Sequence, residues 1–403
     1  MTIRKMALAE LFRVGSSKRV LQSQWNSEGV PFYRGREITR LAADGFVDNE
    51  LFISEDLYAE LASKYGVPNA SDIMITAIGT IGNSYIVCEG DRFYFKDASV
   101  LWLKKTAVVS SEFINYWLKS PLFFDQLDKG NGATVDTLTI QKLQSVVVDL
   151  PPPDEQHRIV GILDEAFENI ASARANAEQN LKNARALFES HLQAVFTQMG
   201  EGWVEKSLET VASILNGYAF KSTDFSAKEG AKCIKITNVG VKDFVSNSDG
   251  YLPESFAEEY EKVSVKEGSI VIALTRTIIA GGLKVAIVPD EYDGALLNQR
   301  VASIITNDKD LIGAFLFAYL STQTVVDYVK ERVNTLMQPN LSIADLRSIP
   351  IPVPARGEQE KIIKKLGDLR AETQRLESIY KQKIAALDEL KKALMHKAFA
   401  GEL

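Results

Sequence analysis

Residues 33–40 read YRGREITR and put Arg34, Arg36 and Arg40 within seven positions. Arginine carries a planar fork of N–H donors that fits phosphate oxygens or the O6 and N7 of guanine, so the cluster is equipped to hold a polyanion and not to make or break a bond. Lys18 and Arg19 add charge upstream. The polar run NGAT, with Asn131 and Thr134, adds side chains that reach adenine edges or nucleic-acid backbone. The second half offers a thinner set: Arg276 and Thr277 at the tip of an expected strand-turn-strand, and Asn334 and Gln338 in the loop that matches 131–135. For any one of these residues the plainer role is a solvated or salt-bridged surface side chain.

Bond-making chemistry is harder to find. There is no Walker loop, and the lone GNG at 130–132 is too short to cradle a phosphate. The run of Asn or Asp, two prolines and an aromatic that amino-methyltransferases carry is missing. Pro289-Asp290 resembles the start of a nuclease carboxylate pair, yet no acid-x-Lys follows within fifty residues. His157, His191 and His396 all fall in long helical stretches without Cys or His at ligand spacing, so they read as helix-face residues and no metal or cofactor is expected. Cys88 and Cys233 lie in separate halves, which fits a reducing cytoplasm better than a disulfide framework.

Length and charge narrow the classes further. The chain has 403 residues, 46% hydrophobic and 25% charged, which is ordinary for a globular protein of two or three domains. No run of 18 apolar residues without charge occurs, and Glu10 and Arg13 interrupt the stretch where a signal peptide needs an apolar core; a cytoplasmic protein without a membrane span is expected. The net charge is −7, divided as −2 over 1–137, −3 over 138–200, −5 over 201–340 and +3 over 341–403. Neither long variable segment is basic overall. Any polyanion contact must come from local clusters such as 33–40, because binding responds to the field at the contact surface.

The elements that must position these residues are laid out by an internal repeat. With residue i set against i + 203, LTIQKLQSVVVDLPPPDEQHRIV from Leu138 lies over LSIADLRSIPIPVPARGEQEKII from Leu341 without a gap. Leu143/Leu346, Pro151/Pro354, Glu155/Glu358, Gln156/Gln359 and Ile159/Ile362 are among the identities. The chain is thus a tandem duplication of one variable segment followed by one recurring segment. Proline fits the mouth of a helix, and Asp154, Glu155 and Glu358 place negative charge near its positive N-terminus. From there a three-four spacing runs through Ile159, Leu163, Ala166, Ile170, Ala173, Ala177, Ala184 and Leu187. The second copy reads Ile362, Leu366, Leu369, Thr373, Leu376, Tyr380, Leu387 and Leu390. Each helix, of roughly 40 residues, would be about 60 Å long. Alanine in one stripe and leucine and tyrosine in the other favour an antiparallel pairing within one chain; dimerisation, or packing on the helices' own domains, is the alternative.

The variable segments 1–137 and 201–340 read alike in order. Ser54, Glu55 and Asp56 open a helix that Gly66 and Pro68 stop. Residues 72–87 read as two strands around a Gly-Asn turn, RFYFKDASVLWL continues the strand character, and 111–127 returns to helix. In the second copy, 268–288 takes the strand-turn-strand place and 311–333 the helix place. The expected fold class is α+β: two similar globular α/β domains, 1–147 and 201–350, separated by a long antiparallel two-helix coiled coil from 148–200 and 351–403, as a pseudo-two-fold internal repeat.

A duplicated variable domain, each followed by a long helix with a proline-rich EQ entrance, together with NGYAFKS at 216–222 and the terminal HKAFAGEL, resembles the specificity (S) subunit of type I restriction-modification systems. The resemblance spans essentially the whole chain. It implies two target-recognition domains that each read half of a split double-stranded DNA sequence, and helices that set the gap. It also implies docking of two methyltransferase (M) subunits, with restriction (R) subunits joining through them, and no catalysis by the S subunit itself. On that resemblance Tyr218, Lys221 and Ser222 join the DNA-contact candidates, with Tyr218 and Phe220 equally readable as core. The recurring helix entrances, Glu155, Gln156, Glu358 and Gln359, become candidates for M-subunit contact, the plainer role being helix capping.

Two rivals come from other classes: a coiled-coil scaffold that binds only proteins, and a self-contained methyltransferase or nuclease, which the missing motifs disfavour. Half-sites read by two-fold proteins are separated by about 34 Å, shorter than the helix estimate, so the reading surfaces must lean inward or the DNA must bend.

Overall fold

The computed structural model describes residues 3–127, 137–225, 229–246, 250–307, 309–333 and 340–403. They form two compact units, one made of Met1–Glu178 with Gln382–Leu403 and the other of Gln179–Lys381. Asn131, Thr134, Asn334 and Gln338 lie outside the described residues.

The first unit is built on a four-stranded antiparallel sheet in the order Phe12–Gly15, Val100–Lys105, Ile73–Thr76, Ser84–Ile86. Ile73–Thr76 is buried at every position, as a central strand covered on both faces must be. Ser54 caps the helix Glu55–Tyr65, its hydroxyl accepting from the Leu57 N–H, and Gly66 ends it, as the sequence anticipates. The segment 111–127 is two helices and not one, Ser111–Leu118 and Pro121–Leu127, because Pro121 has no N–H to continue the first. RFYFKDASVLWL likewise serves two sheets. Tyr94–Phe95 pairs in parallel with Val30–Tyr33 in a small sheet, while Val100–Lys105 enters the large one.

The second unit repeats this plan with different residues. Its antiparallel sheet runs Ala212–Asn216, Val301–Thr306, Ile270–Ala273, Val285–Ile287, and a parallel pair joins Cys233–Ile234 to Leu296–Leu297. Residues 311–333 again divide, into Gly313–Leu320 and Gln323–Arg332. Here hydroxyls make the break: Ser321 Oγ donates to the Phe317 carbonyl and Thr322 Oγ1 to that of Tyr319, both at 2.7 Å.

In both units the first strand returns to pair with the strand that feeds a long helix, Arg4–Ala7 with Val147–Leu150 and Val204–Ser207 with Pro350–Val353. The helices themselves, Pro153–Thr197 and Arg356–Ala400, have 45 residues each, about 68 Å at 1.5 Å rise. Within the first unit Arg158 Nη2 donates to the Leu403 carbonyl at 2.8 Å and Arg174 pairs with Asp388, so the two helices run antiparallel there. Within the second unit Arg185 Nε lies 3.0 Å from Glu377 and Arg370 stands 5.9 Å above the Phe188 ring, again antiparallel.

The anticipated seam holds at Ile159, Leu163, Ile170, Ala177, Ala184, Leu366 and Thr373, all buried. It fails at Leu187 and Leu390, the two repeat-related ends of the register, which are 51% and 47% exposed. Past Ala184 the first helix, still against its twin at Arg370, also lies on a globular core, through Phe188, Leu192 and Phe196. Packing on a core follows steps of four along a straight helix and not the 3.5 repeat of a coiled coil, so the buried face moves by one residue. The second helix likewise lies on a core through Met395 and Phe399, in one cluster with Ile159 and Leu163 of the first.

Candidate nucleic-acid interface

The run YRGREITR begins at the end of the short strand Val30–Tyr33 and turns at once into the helix Gly35–Asp44. Glu37, only 1% exposed, organises the entrance. Its Oε2 accepts the Arg34 backbone N–H at 2.9 Å and Arg34 Nε at 3.1 Å, and its Oε1 accepts Arg34 Nη2 at 2.8 Å and Arg36 Nε at 3.0 Å. Arg36 Nη2 reaches on to Glu50 at 2.6 Å. Burial pushes the Glu37 carboxyl upward, but the donations from Arg34 and Arg36 outweigh it and hold the group below the ordinary carboxylate range. Two guanidinium groups are thereby fixed in place instead of waving in solvent.

These arginines line one wall of an open groove of about 510 Å³, together with Arg40, Thr76, Thr80 and Lys96. Arg40 and Lys96 are exposed, and neither has a side-chain ion-pair partner among the described residues. Lys18 and Arg19 do not line the groove. Arg19 pairs with Asp97 at 2.8 Å, and Lys18 donates its backbone N–H to the Tyr94 hydroxyl at 3.0 Å while its ammonium lies 5.9 Å over the Tyr65 ring.

The second unit carries a matching pair at the same scaffold positions. Phe32 pairs with Tyr94 in the first parallel pair and Cys233 with Leu296 in the second, which sets Lys235 where Arg34 stands and Asn238 where Glu37 stands. Lys235 N–H donates to Asn238 Oδ1 at 2.9 Å, the same i to i+3 clasp, and Asn238 is also 1% exposed. Sequence reasoning missed Lys235 and Lys96. The recoverable signal was a basic residue followed three positions on by a side-chain acceptor, directly after a short apolar run, in both copies.

NGYAFKS leaves the end of the strand Ala212–Asn216, and Tyr218 bridges Asn298. A Cβ on Gly217 would lie 2.2 Å from the Asn298 carbonyl oxygen, so only glycine lets the chain pass there. Tyr218, 46% exposed, leans on Tyr260 with ring centroids 4.7 Å apart, whereas Phe220 is 8% exposed and belongs to the core. Lys221 and Ser222 are exposed, and Lys221 N–H is capped by Asp224 at 2.9 Å. Arg276 is exposed with φ 50°, in the left-handed region, and Thr277 beside it is fully buried.

Comparison with known proteins decides what this duplicated scaffold is. The family model "Type I restriction modification DNA specificity domain" matches residues 2–183 and again 200–386. The chain belongs to that family. A curated relative, the type I restriction enzyme MjaVIII specificity subunit of Methanocaldococcus jannaschii, is 26% identical over 363 residues, 86% of this chain and 82% of the relative. The EcoAI specificity subunit of Escherichia coli is 29% identical over 279 residues, 67% of this chain but 45% of its own length. Among solved structures, one concerned with complex assembly and conformational transition of the type I R-M system matches 100% of this chain and 98% of its own at a TM-score of 0.76 and 17% identity. The HsdS subunit from Thermoanaerobacter tengcongensis matches 100% and 97% at 0.65 and 18%. At those identities the structures speak for the fold alone, and they agree with the two-copy α+β plan.

In this specificity-domain chain the four helix-entrance residues divide into two kinds. Gln156 and Gln359 are 1% and 0% exposed. Gln156 Oε1 accepts the Ser110 N–H at 2.9 Å and its amide donates to the Pro151 carbonyl at 2.8 Å. Gln359 Oε1 accepts from Ile312 at 2.9 Å and its amide donates to the Asp310 and Pro354 carbonyls, each at 3.0 Å. Direct partner contact through these two amides is therefore corrected to an internal role: each latches a long helix to the N-terminus of a helix in its own unit, Ser111–Leu118 or Gly313–Leu320. Glu155 is bridged by Arg158 at 2.6 Å, and Glu358 Oε1 accepts from Trp203 Nε1 at 3.0 Å. Both glutamates stay partly accessible.

His157 and His396 are exposed on the long helices and His191 is half-buried. Among the described residues no group of three or more His, Cys, Asp or Glu gathers to hold a metal ion, and no helix is long and apolar enough to cross a membrane.

Proposed function

We propose that this specificity-family chain is the DNA-reading, non-catalytic subunit of a cytoplasmic type I restriction-modification complex. Residues 1–147 read one half of a split double-stranded target and 201–350 the other. The long helices in 148–200 and 351–403 set the gap and offer docking surface to two methyltransferase subunits, through which restriction subunits join. The observation that carries this reading is the repeated placement of a basic residue, Arg34 or Lys235, at the end of the short parallel strand and clasped by a buried acceptor three residues on. One scaffold position thus carries a cation in two otherwise unlike sequences, as expected of two readers of different sites on one polyanion. Net charges of −2 and −5 on the variable segments support weak binding by the subunit alone and shared phosphate neutralisation with partners.

Methylation mapping in cells that carry the chain with its methyltransferase tests this. A bipartite motif with fixed gap is expected. Removing one heptad from each long helix should alter the gap and leave both half-sites as they were. Altered half-sites with an unaltered gap would refute the spacer assignment, and methylation without sequence preference would leave only a protein scaffold.

A further inference from the structure

The second unit reaches a turn that the first unit makes with glycine, and makes it with arginine. Strands Ile73–Thr76 and Ile270–Ala273 hold the same place in their sheets, and the residues after them are tied down alike. Leu138 N–H donates to the Ala77 carbonyl and Leu341 N–H to that of Leu274, each at 2.8 Å, and Ile78 bridges Thr137 as Thr275 bridges Asn340. Gly79, with φ 77°, therefore corresponds to Arg276, with φ 50°. Glycine adopts that backbone freely, whereas a long L side chain there is strained. The turn itself does not call for arginine.

Its surroundings hold the strained residue in place. Leu274 N–H donates to the Arg300 carbonyl at 2.8 Å on one side, and the Thr277 carbonyl accepts from Lys284 N–H at 2.8 Å on the other. Thr277 is 0% exposed and its hydroxyl has no partner among the described residues, so the segment carries an unsatisfied polar group beside the strained one. Lys284, across the hairpin, brings a second cation near Arg276. Burial and the Arg276 charge together make that ammonium easier to deprotonate, as expected when no carboxylate intervenes. Among the described residues neither cation has a salt bridge. Strain, a buried hydroxyl without a partner among the described residues, and two neighbouring cations without a carboxylate gather at this turn, the Lys284 ammonium being held by the Ile236 carbonyl while Arg276 stays exposed.

We propose that Arg276 is a specificity-determining residue of the second reader, held in the left-handed conformation so that its guanidinium meets the edge of a guanine. A phosphate contact asks only for a charge on a flexible stem, which a relaxed lysine supplies. A strained, clamped arginine is worth keeping where a planar fork must be aimed at O6 and N7. This rests on the DNA-reading function above.

The full chain is co-produced with the methyltransferase subunits of its own system, and methylated sites are mapped for wild type, Arg276→Gly and Arg276→Lys. A bipartite wild-type motif establishes the reading; its absence would end that reading before the variants are considered. With the motif in hand, both variants should lose discrimination at one base pair of one half-site by about tenfold to a hundredfold, with the other half-site unchanged. Thermal unfolding of Arg276→Gly should stay within about 2 °C of wild type or rise, because strain relief offsets the looser unfolded chain. An unchanged motif, a uniform loss over all sequences, or rescue by lysine would each overturn the proposal, the last two by making Arg276 a phosphate contact. A fall in stability with an unchanged motif would make the residue structural.

Discussion

The two units carry the same sheet order, the same parallel pair and the same helix root, yet they handle positive charge in opposite ways. In the first, buried Glu37 gathers Arg34 and Arg36, so the basic groove is braced from within by a carboxylate. In the second, Asn238 replaces that carboxylate, and the exposed cation Arg276 stands on a strained turn without a salt bridge among the described residues. The backbone plan is set by burial and hydrogen bonding, which tolerate many sequences. The reading surface is set by a few side chains whose neighbours need not match. Duplication followed by divergence can change the second without disturbing the first.

The strongest test of that equivalence lies in the core. Phe113 and Phe315 are each fully buried at the same step of the repeat. Each meets a phenylalanine from the end of a long helix, Phe399 or Phe196, with ring centroids 5.2 Å apart. Phe399→Ala is expected to destabilise the first unit and Phe196→Ala the second, each by about 3–5 kcal/mol. Hydrogen exchange resolved along the chain would show which unit loosens. Loss of protection in the other unit in either case would break the correspondence.

The helix latches come next, and here the copies should differ. Gln359 serves three backbone groups and Gln156 two. Replacement by leucine keeps the volume and leaves buried donors and acceptors unmet, at about 1–3 kcal/mol for a lost buried partner. Gln359→Leu should therefore cost more than Gln156→Leu in denaturant unfolding. Equal costs would mean that the additional bond to Asp310 contributes nothing.

A third test isolates the brace. Glu37→Gln removes a buried carboxylate from two arginines and should cost about 1–3 kcal/mol at neutral pH. Because the folded-state pKa of Glu37 lies below its unfolded value, its contribution is present above about pH 4.3 and fades as pH falls through the folded value. The gap between wild type and variant should close in the acid range, and a gap that persisted at pH 2 would show that charge is not what Glu37 supplies. In methylation mapping the variant should blur one half-site only. Asn238 already lacks a carboxyl, so the second unit has no counterpart to this acid sensitivity.

Much of this plan was legible in the sequence, for physical reasons that differ by element. The repeat, the helix roots and the cap at Ser54 were readable because proline, glycine and hydroxyl residues act locally. The seam was readable up to Ala184, where a coiled-coil period applies, and lost at Leu187, where the helix meets a globular core that the local pattern does not announce. The arginines of 33–40 were legible as a cluster. Their bracing by Glu37 is local and left a readable spacing, whereas the membership of Lys96 in the same groove depends on a parallel pairing that joins residues sixty positions apart, which composition cannot show. Gln156 and Gln359 were singled out because both copies keep them, but the repeat alone did not distinguish an exposed docking residue from a buried latch.

Arg40 and Lys96 should give the smallest effects and draw the sharpest line between affinity and readout. Both are exposed at the groove without the bracing that Arg34 and Arg36 receive. Contacts of that kind go to phosphate, whose strength depends on counterion release and not on base identity. Arg40→Ala or Lys96→Ala should weaken binding of the assembled complex to duplex DNA by roughly threefold to tenfold for all sequences. Each should also lower the slope of log affinity against log salt by about one, with the methylated motif intact. If either substitution changed a base in the motif, the braced and unbraced cations of the first unit would share one task, and the contrast with Arg276 in the second would have to be redrawn around the groove instead of the turn.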